Sequence, residues 1–358
     1  MTIASTPATT LPILDLSLLD QGEAAAQRFR DELTRVTHEI GFFYLTGTGV
    51  SAELEDRMLR VSRAFFALSE EHKLAIRNHK SPQFRGYTQL GGEQTYGKVD
   101  WREQIDICRD QDVVTDPNAP AYKRLVGPNL WPEALPELRE TAEEWQAALG
   151  AVARKLLRNW AVALGAGPDY FDDHFGDPFT LLKIVRYPGT ERRSQGVGAH
   201  NDAGVLTLLW VEPGAGGLQV QTLAGEWIDA PALPHSFIVN IGELLELCTQ
   251  GYLRATPHRV ISPLAPADRI SVPFFYNPSL DAQFPVIDLP PELKAKARPR
   301  PRDPKNPFFE LYGWNALKGR LRAHRDVAAI YHQDLLDQGI AAANLRMAPD
   351  QTSQPAEI

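Results

Sequence analysis

The chain has 358 residues, of which 43% are hydrophobic and 23% are charged, a composition that is ordinary for a folded protein and excludes general disorder. Its net charge of −8 argues against a nucleic-acid partner, because proteins that bind phosphate backbones usually present a basic face. The longest clearly apolar run, Val205 to Val211, is far shorter than the roughly 20 residues that cross a bilayer. We therefore expect a cytoplasmic protein without a membrane partner, in which Cys108 and Cys248 are reduced and buried.

The first half of the chain alternates predicted strands and helices. Phe29, Leu33 and Val36 recur at helical spacing, and Ser51 is a candidate N-cap for a second helix. In chain order, the predicted elements are a strand at 12–16, a helix around 29–40, a strand at 42–45, a helix at 51–68, a strand at 104–107 and a helix at 134–164. Residues 78–100 are Gly-rich and aperiodic, so we expect a long loop of the kind that often carries function.

From about residue 178 the pattern changes to short apolar runs separated by Gly and Pro, which is typical of a sandwich or jelly roll. The predicted strands are 180–187, 204–211, 217–221, 226–229, 237–241, 258–262 and 270–276, followed by a helix at 308–323 and a polar tail. The predicted fold is mainly β with α additions. It has an N-terminal α/β region at 1–177, a jelly-roll core at 178–290 and a C-terminal helix and tail at 291–358. Since no flexible linker separates them, we expect one structural unit.

A candidate metal site begins with His200 and Asp202, which precede an apolar run. On an extended strand these two residues would point to the same side while Asn201 faces away. An imidazole and a carboxylate suit a divalent first-row metal, and two His with one carboxylate are the ligands of non-haem Fe(II) sites. His258, on another predicted strand, is the best candidate for the third ligand.

A second candidate site contains Arg269 and Ser271, again two residues apart on one predicted strand. A guanidinium pairs bidentately with a carboxylate, so the pair predicts a carboxylate clamp. Alone, such a pair is more often a solvated strand edge, and a lone His is more often structural. Their joint occurrence favours the functional interpretation.

In these motifs the sequence resembles the isopenicillin N synthase-like family of Fe(II)/2-oxoglutarate-dependent oxygenases, and the resemblance covers nearly the whole chain. The shared features are H-x-D at His200/Asp202, the distal His258, R-x-S at Arg269/Ser271, the strand end Ile184-Val185-Arg186-Tyr187-Pro188, and the opening Pro12-Ile13-Leu14-Asp15-Leu16 with Gly41-Phe42-Phe43. The resemblance implies a double-stranded β-helix (jelly-roll) core. Val185 departs from the Asn that plant members often carry, so the cosubstrate contacts of this strand are expected to differ.

The resemblance also implies a reaction. Fe(II) would be bound by His200, Asp202 and His258, and 2-oxoglutarate would contact Arg269, Ser271 and Tyr187. With O2, such an enzyme hydroxylates, desaturates or cyclises a small organic substrate, here an amino acid derivative or secondary metabolite, and releases succinate and CO2.

Two other functions are compatible with the same motifs. An oxidase like isopenicillin N synthase itself, which needs no 2-oxoglutarate, carries the same R-x-S motif for a substrate carboxylate. A non-catalytic β-barrel that binds a small carboxylate is the alternative from another class.

Candidate substrate contacts are Arg85, Tyr87, Arg102 and Phe275, although ion pairs with Glu93 or Glu103 are equally compatible with the two arginines. The sequence does not identify the substrate, the outcome of the oxidation or the oligomeric state, for which a monomer is the simplest expectation.

Overall fold

The computed structural model describes residues 10–95, 97–299 and 308–340. The strands among these residues are β1 Ile13–Asp15, β2 Phe42–Thr46, β3 Gly86–Thr88, β4 Gln94–Thr95, β5 Lys98–Val99, β6 Glu103–Cys108, β7 Phe179–Tyr187, β8 Gln195–His200, β9 Leu206–Val211, β10 Leu218–Gln221, β11 Trp227–Asp229, β12 Phe237–Ile241, β13 His258–Ile261 and β14 Arg269–Asn277. The helices are α1 Glu23–Glu39, α2 Ala52–Ala67, α3 Glu70–Ala75, α4 Glu137–Ala163, α5 Glu243–Cys248, α6 Pro291–Lys294, α7 Tyr312–Ala323, α8 Arg325–Tyr331 and α9 Gln333–Asp337. The polar tail expected at the end of the chain lies outside the described residues.

Two sheets form the centre of the fold. The larger sheet has eight strands in the order β1-β2-β12-β9-β14-β7-β6-β3, and the smaller has four in the order β11-β10-β13-β8. The inner faces of both sheets contribute to one apolar cluster, which includes Val185, Ile238, Val220 and Val260. This is the mainly β, jelly-roll architecture expected from the sequence, with helices added around it.

The outer face of the larger sheet packs against α1, α2 and α4. Side chains alternate along a strand. Leu182 and Ile184 of β7 therefore belong to an outer apolar cluster shared with the helices, whereas Val185 and Tyr187 belong to the inner cluster. Trp145 of α4 is fully buried against this face. Such two-sided burial explains why the central strands are apolar almost throughout.

The N-terminal region shares the larger sheet with the jelly-roll strands. Strand β2 pairs with β12, and β6 pairs with β7. Ser51 caps α2 by accepting a hydrogen bond from the backbone N–H of Leu54, as the sequence suggested. This shared sheet supports the expectation of one structural unit, while the boundaries at 177 and 290 stay predictions.

The structure differs from the sequence predictions in several short elements and in one strand. The expected loop at 78–100 contains β3 and the short hairpin β4–β5, whose stability comes from pairing and packing with neighbouring strands. The short helices α3, α5, α6, α8 and α9 were not predicted, because helices this short depend on tertiary contacts more than on their own periodicity. The expected strand through Asp202 ends at His200, since the backbone carbonyl of Asp202 accepts a hydrogen bond from Glu243 at the start of α5.

Both cysteines are buried and unpaired, as expected. Among the described residues, the structure has no helix that is both long and apolar enough to cross a membrane.

Candidate metal centre and carboxylate site

Three candidate metal ligands converge at one end of the smaller sheet. His200 ends β8 and His258 begins β13, and the two residues face each other across this antiparallel pair. Asp202 lies in the turn between β8 and β9. Its Oδ1 atom is 3.6 Å from Nε2 of His200 and 3.7 Å from Nε2 of His258, and the three donor atoms lie within 4.8 Å of one another.

Backbone carbonyls orient both imidazoles toward Asp202. Nδ1 of His200 lies 2.8 Å from the carbonyl oxygen of Gly198, and Nδ1 of His258 lies 3.1 Å from that of Thr256. Because a carbonyl oxygen only accepts, Nδ1 carries the proton in each ring and the lone pair of Nε2 is left for a metal. Burial and the neighbouring His258 lower the pKa of His200 to about 4, so this ring is neutral at pH 7 and ready to bind a cation.

The carboxylate of Asp202 is held through its other oxygen. Oδ2 accepts hydrogen bonds from the hydroxyl of Thr207 at 2.6 Å and from the side-chain amide of Asn240 at 2.8 Å. Burial by itself would raise the pKa of Asp202, but the two histidines and these two donors together lower it. The carboxylate is therefore ionised and presents Oδ1 to the imidazoles. Two imidazoles and one carboxylate fit Fe(II) and leave open coordination positions.

Arg269 forms a buried cationic site on β14. Its Nη1 donates to the hydroxyl of Ser271 at 3.1 Å, and its guanidinium carbon lies 4.9 Å from the ring centroid of Tyr187 on β7. Within the described part of the chain, Nε and Nη2 have no acceptor, although the residue is only 2% exposed. A buried charge without a partner is unfavourable. The arrangement therefore fits an anionic ligand such as a carboxylate.

One small cavity, of about 70 Å³, joins the two sites. All six predicted metal and cosubstrate residues line it: His200, Asp202, His258, Arg269, Ser271 and Tyr187. Two of the four predicted substrate contacts, Arg102 and Phe275, line it as well. Arg102 pairs with Glu93 at the edge of this cavity and lies 3.4 Å from Asp100. The structure thus brings together residues from β7, β8, β13 and β14 around one space.

Arg85 and Tyr87, the other two predicted substrate contacts, do not line this cavity. The buried guanidinium of Arg85 donates to the backbone carbonyls of Gln83 at 2.9 Å and Leu125 at 2.7 Å. The hydroxyl of Tyr87 donates to Glu103. Both side chains contact neighbouring segments of the protein, so their role as substrate contacts stays a prediction that these hydrogen bonds do not support.

Sequence reasoning missed several polar residues near the site. Thr207 and Asn240 hold Asp202, and Asp106 and Lys183 extend the buried ion pair of Arg102 with Glu93. A usable signal existed for Asn240, which is a polar residue within the apolar run Phe237–Ile241. The ion pair of Arg102 with Glu93 was one of the alternatives that the sequence left open, whereas Asp106 and Lys183 come from separate segments and carried no comparable signal.

Comparison with known proteins places this geometry in a family. Residues 11–134 match the family described as the N-terminal region of a non-haem dioxygenase in morphine synthesis, and residues 178–278 match the 2OG-Fe(II) oxygenase superfamily. The chain is 36% identical to the 2-oxoglutarate-dependent dioxygenase frbJ of Dothideomycetidae sp., over 90% of this chain and 92% of that protein.

Two further comparisons agree with this assignment. A homoarginine-6-hydroxylase of Arabidopsis thaliana is 34% identical, over 78% of this chain and 88% of its own. The solved structure of JOX2 in complex with 2OG, Fe and JA superposes with a TM-score of 0.66 and 28% identity, covering 80% of each chain. The chain therefore belongs to the 2OG-Fe(II) oxygenase superfamily, as its resemblance indicated, and is a dioxygenase that uses Fe(II), 2-oxoglutarate and O2 to oxidise a small organic substrate.

Proposed function

We propose that His200, Asp202 and His258 bind Fe(II), and that Arg269 with Ser271 binds the distal carboxylate of 2-oxoglutarate. The observation that carries this proposal is the position of the buried, unpaired guanidinium of Arg269 in the same cavity as the three converging metal ligands. When bound, Fe(II) and 2-oxoglutarate supply the oxidising chemistry, in which O2 is consumed and succinate and CO2 are released.

The residues of the chain would position these groups. Thr207 and Asn240 hold one oxygen of Asp202, so the other remains directed at the metal position. The ring of Tyr187 packs against the guanidinium of Arg269 and shapes the carboxylate site. Val185 presents an apolar side chain to the interior and offers the cosubstrate no hydrogen bond.

An anaerobic titration tests this assignment. Addition of 2-oxoglutarate to the Fe(II) protein should produce a metal-to-ligand charge-transfer absorbance, and the wild-type enzyme should convert 2-oxoglutarate to succinate slowly without a substrate. Absence of both signals would favour an oxidase that binds its substrate carboxylate at Arg269. Failure to bind iron at all would favour the non-catalytic carboxylate binder.

We further propose that the substrate is a basic amino acid. Relatives of this chain include homoarginine-6-hydroxylases from Arabidopsis thaliana, Glycine max and Oryza sativa. Arg102 lines the cavity of the metal ligands, and behind it lie the carboxylates of Glu93 and Asp100. Charged groups at and behind this wall suit a substrate that is itself charged.

A substrate screen tests the proposed class. L-Homoarginine, L-arginine and L-lysine should stimulate succinate release, whereas indole-3-acetic acid and thymine, which lack a cationic side chain, should not. Stimulation by the second group alone would exclude a basic amino acid as the substrate while leaving the dioxygenase activity intact.

Other parts of the proposal concern the whole chain. We propose that the N-terminal region, the jelly-roll core and the C-terminal helix, divided at residues 177 and 290, form one structural unit across the described part of the chain. We also propose that the enzyme acts as a monomer in the cytoplasm without nucleic acid. The shared eight-stranded sheet and the net charge of −8 support these points. Size-exclusion chromatography with light scattering tests the oligomeric state, and a single cooperative unfolding transition would support the single unit.

A further inference from the structure

A chain of buried ion pairs runs beside the metal cavity toward α7. Glu93 pairs with Arg102 and, at 2.8 Å, with Lys183. Lys183 lies 3.6 Å from Asp106, which accepts a hydrogen bond from Arg320 of α7 at 2.7 Å. Positive and negative groups alternate along this chain, and its two ends are guanidinium groups.

The same cluster is not suited to a metal. Donor atoms of Glu93, Asp106 and His324 lie within 4.8 Å of one another, which is the spacing of a metal site. Both carboxylates already pair with buried cations, Lys183 and Arg320 among them. A divalent cation would have to displace these ion pairs and bring further positive charge beside them. We therefore assign this cluster a different role.

The two ends of the ion-pair chain line two adjoining cavities. Arg102 lines the cavity that contains the metal ligands, and Arg320 lines a second cavity of about 130 Å³ between the larger sheet and α7. The cavities share Thr207 and Phe275, which are neighbours across β9 and β14. Because Thr207 also contacts Asp202, the second cavity begins directly beside the metal ligands.

The guanidinium groups at the two ends of the chain have different neighbours. At the metal end, Arg102 faces two carboxylates, Glu93 and Asp100. At the α7 end, Arg320 faces the single carboxylate of Asp106. Lys183 lies between them, nearer to Glu93 at 2.8 Å than to Asp106 at 3.6 Å. Arg320 therefore has fewer carboxylate partners than Arg102.

Arg320 also retains an unused donor. Its Nη2 donates to Asp106 and to the backbone carbonyl of Phe84, and its Nη1 lies 3.4 Å from a ring nitrogen of His324. Its Nε has no acceptor among the residues that the structure describes, and the residue is only 7% exposed. A buried donor without an acceptor is costly, and an anionic group in the second cavity would remove that cost.

We propose that Arg320 binds the carboxylate of the substrate in the cavity below α7, which adjoins the metal cavity. This inference rests on the proposed substrate class and adds the residue that binds its carboxylate. It makes Arg320, which belongs to neither sequence motif, the residue that selects substrates with a carboxylate.

A pair of probes that differ only at the carboxylate tests the proposal. L-Homoarginine and its primary carboxamide would be titrated calorimetrically into the anaerobic enzyme loaded with Fe(II) and 2-oxoglutarate. A hydrogen bond between charged groups is stronger than one to a neutral amide, so wild type should prefer the acid by about 10- to 100-fold. Arg320→Gln should reduce this preference to less than about threefold, through weaker binding of the acid and not of the carboxamide.

Three variants control the measurement. Arg320→Lys keeps the charge and should retain part of the preference for the acid. Arg325→Gln changes an exposed arginine at the start of α8 and should bind both probes like wild type. If Arg320→Gln fails to fold because Asp106 is left unpaired, the double variant Asp106→Asn, Arg320→Gln removes both charges, and it should show the same loss of preference. The affinity for 2-oxoglutarate should stay unchanged in all of them.

The outcomes separate this proposal from the proposed substrate class. Equal binding of acid and carboxamide by wild type, or a full preference in Arg320→Gln, would overturn the role of Arg320 and leave the substrate class standing. If L-homoarginine does not bind, the substrate class fails, and the same comparison is made with the acid and amide of a carboxylic acid that stimulates succinate release. If only compounds without a carboxylate bind, the role of Arg320 fails as well.

Discussion

Thr207, the second residue of β9, donates a hydrogen bond to Oδ2 of Asp202 at 2.6 Å. Groups that orient a metal ligand typically contribute about 10- to 100-fold to metal affinity. Thr207→Val, which keeps the shape and removes the hydroxyl, should therefore weaken Fe(II) binding by about that factor. Thr207→Ser keeps the donor and should bind Fe(II) nearly as well as wild type. Anaerobic metal titration measures both, and equal affinities in the two variants would show that the hydroxyl has no orienting role.

The three proposed ligands should be individually indispensable. His200→Ala, Asp202→Ala and His258→Ala should each abolish succinate formation and weaken Fe(II) binding, because two remaining ligands do not complete the site. Folding should survive, since none of these side chains belongs to either apolar cluster. Circular dichroism and metal analysis provide the controls. A variant that kept near-normal turnover would remove its residue from the ligand set.

Arg269→Ala should weaken 2-oxoglutarate binding far more than iron binding. Truncation of one partner of a buried charge pair costs about 2 to 5 kcal/mol, which corresponds to about one to three or more decades in affinity. Ser271→Ala should have a smaller effect, because it removes a single hydrogen bond. The midpoint of the charge-transfer titration reports both values. An unchanged midpoint in Arg269→Ala would refute the carboxylate clamp.

Arg85 and Arg102 should respond differently to the same substitution. Arg85→Gln removes donors to two buried carbonyls and should lower the free energy of unfolding by about 1 to 3 kcal/mol, with little change in substrate KM. Arg102→Gln alters the wall of the metal cavity and should raise substrate KM more than it changes uncoupled decay of 2-oxoglutarate. Urea unfolding and steady-state kinetics on both variants distinguish the roles. The opposite pattern would place Arg85, and not Arg102, in contact with the substrate.

The buried ion pairs should make stability fall in acid. Burial alone would raise the pKa of Asp106, but Lys183 and Arg320 lower it well below its usual range; the pKa of Glu93 is likewise lowered, against burial, by Arg102 and Lys183. A carboxyl whose pKa is lower in the folded state contributes stability above its unfolded pKa of about 4, and this contribution is lost as the pH falls further.

Unfolding free energies should therefore decrease steeply below about pH 5. Asp106→Asn should be less stable than wild type at neutral pH and should show a shallower decrease in acid, because one of the titrating groups is gone. Urea denaturation across this range measures the slope. Parallel curves for the two proteins would mean that Asp106 does not contribute to the acid sensitivity.

The sequence alone was sufficient for Arg269 and Ser271, which are two residues apart on one strand and therefore point to the same side. For His200 and Asp202 the sequence named the residues, but the strand predicted to carry both ends at His200. Contacts with Thr207 and Asn240 hold the carboxylate of Asp202 instead. The strands of the jelly roll were likewise predictable, because their apolar runs are bounded by Gly and Pro.

The tertiary structure decided everything that depends on partners from distant segments. Arg85 was expected to contact the substrate beside Arg102, yet it lies outside the metal cavity and donates to the carbonyl of Leu125. Asp106 and Arg320 are 214 residues apart, and only the packing of α7 over the larger sheet makes them a pair. Hydrogen bonds and ion pairs act over a few ångströms in space, whatever the distance along the chain. These pairings could therefore be known only once the strands and α7 were in place.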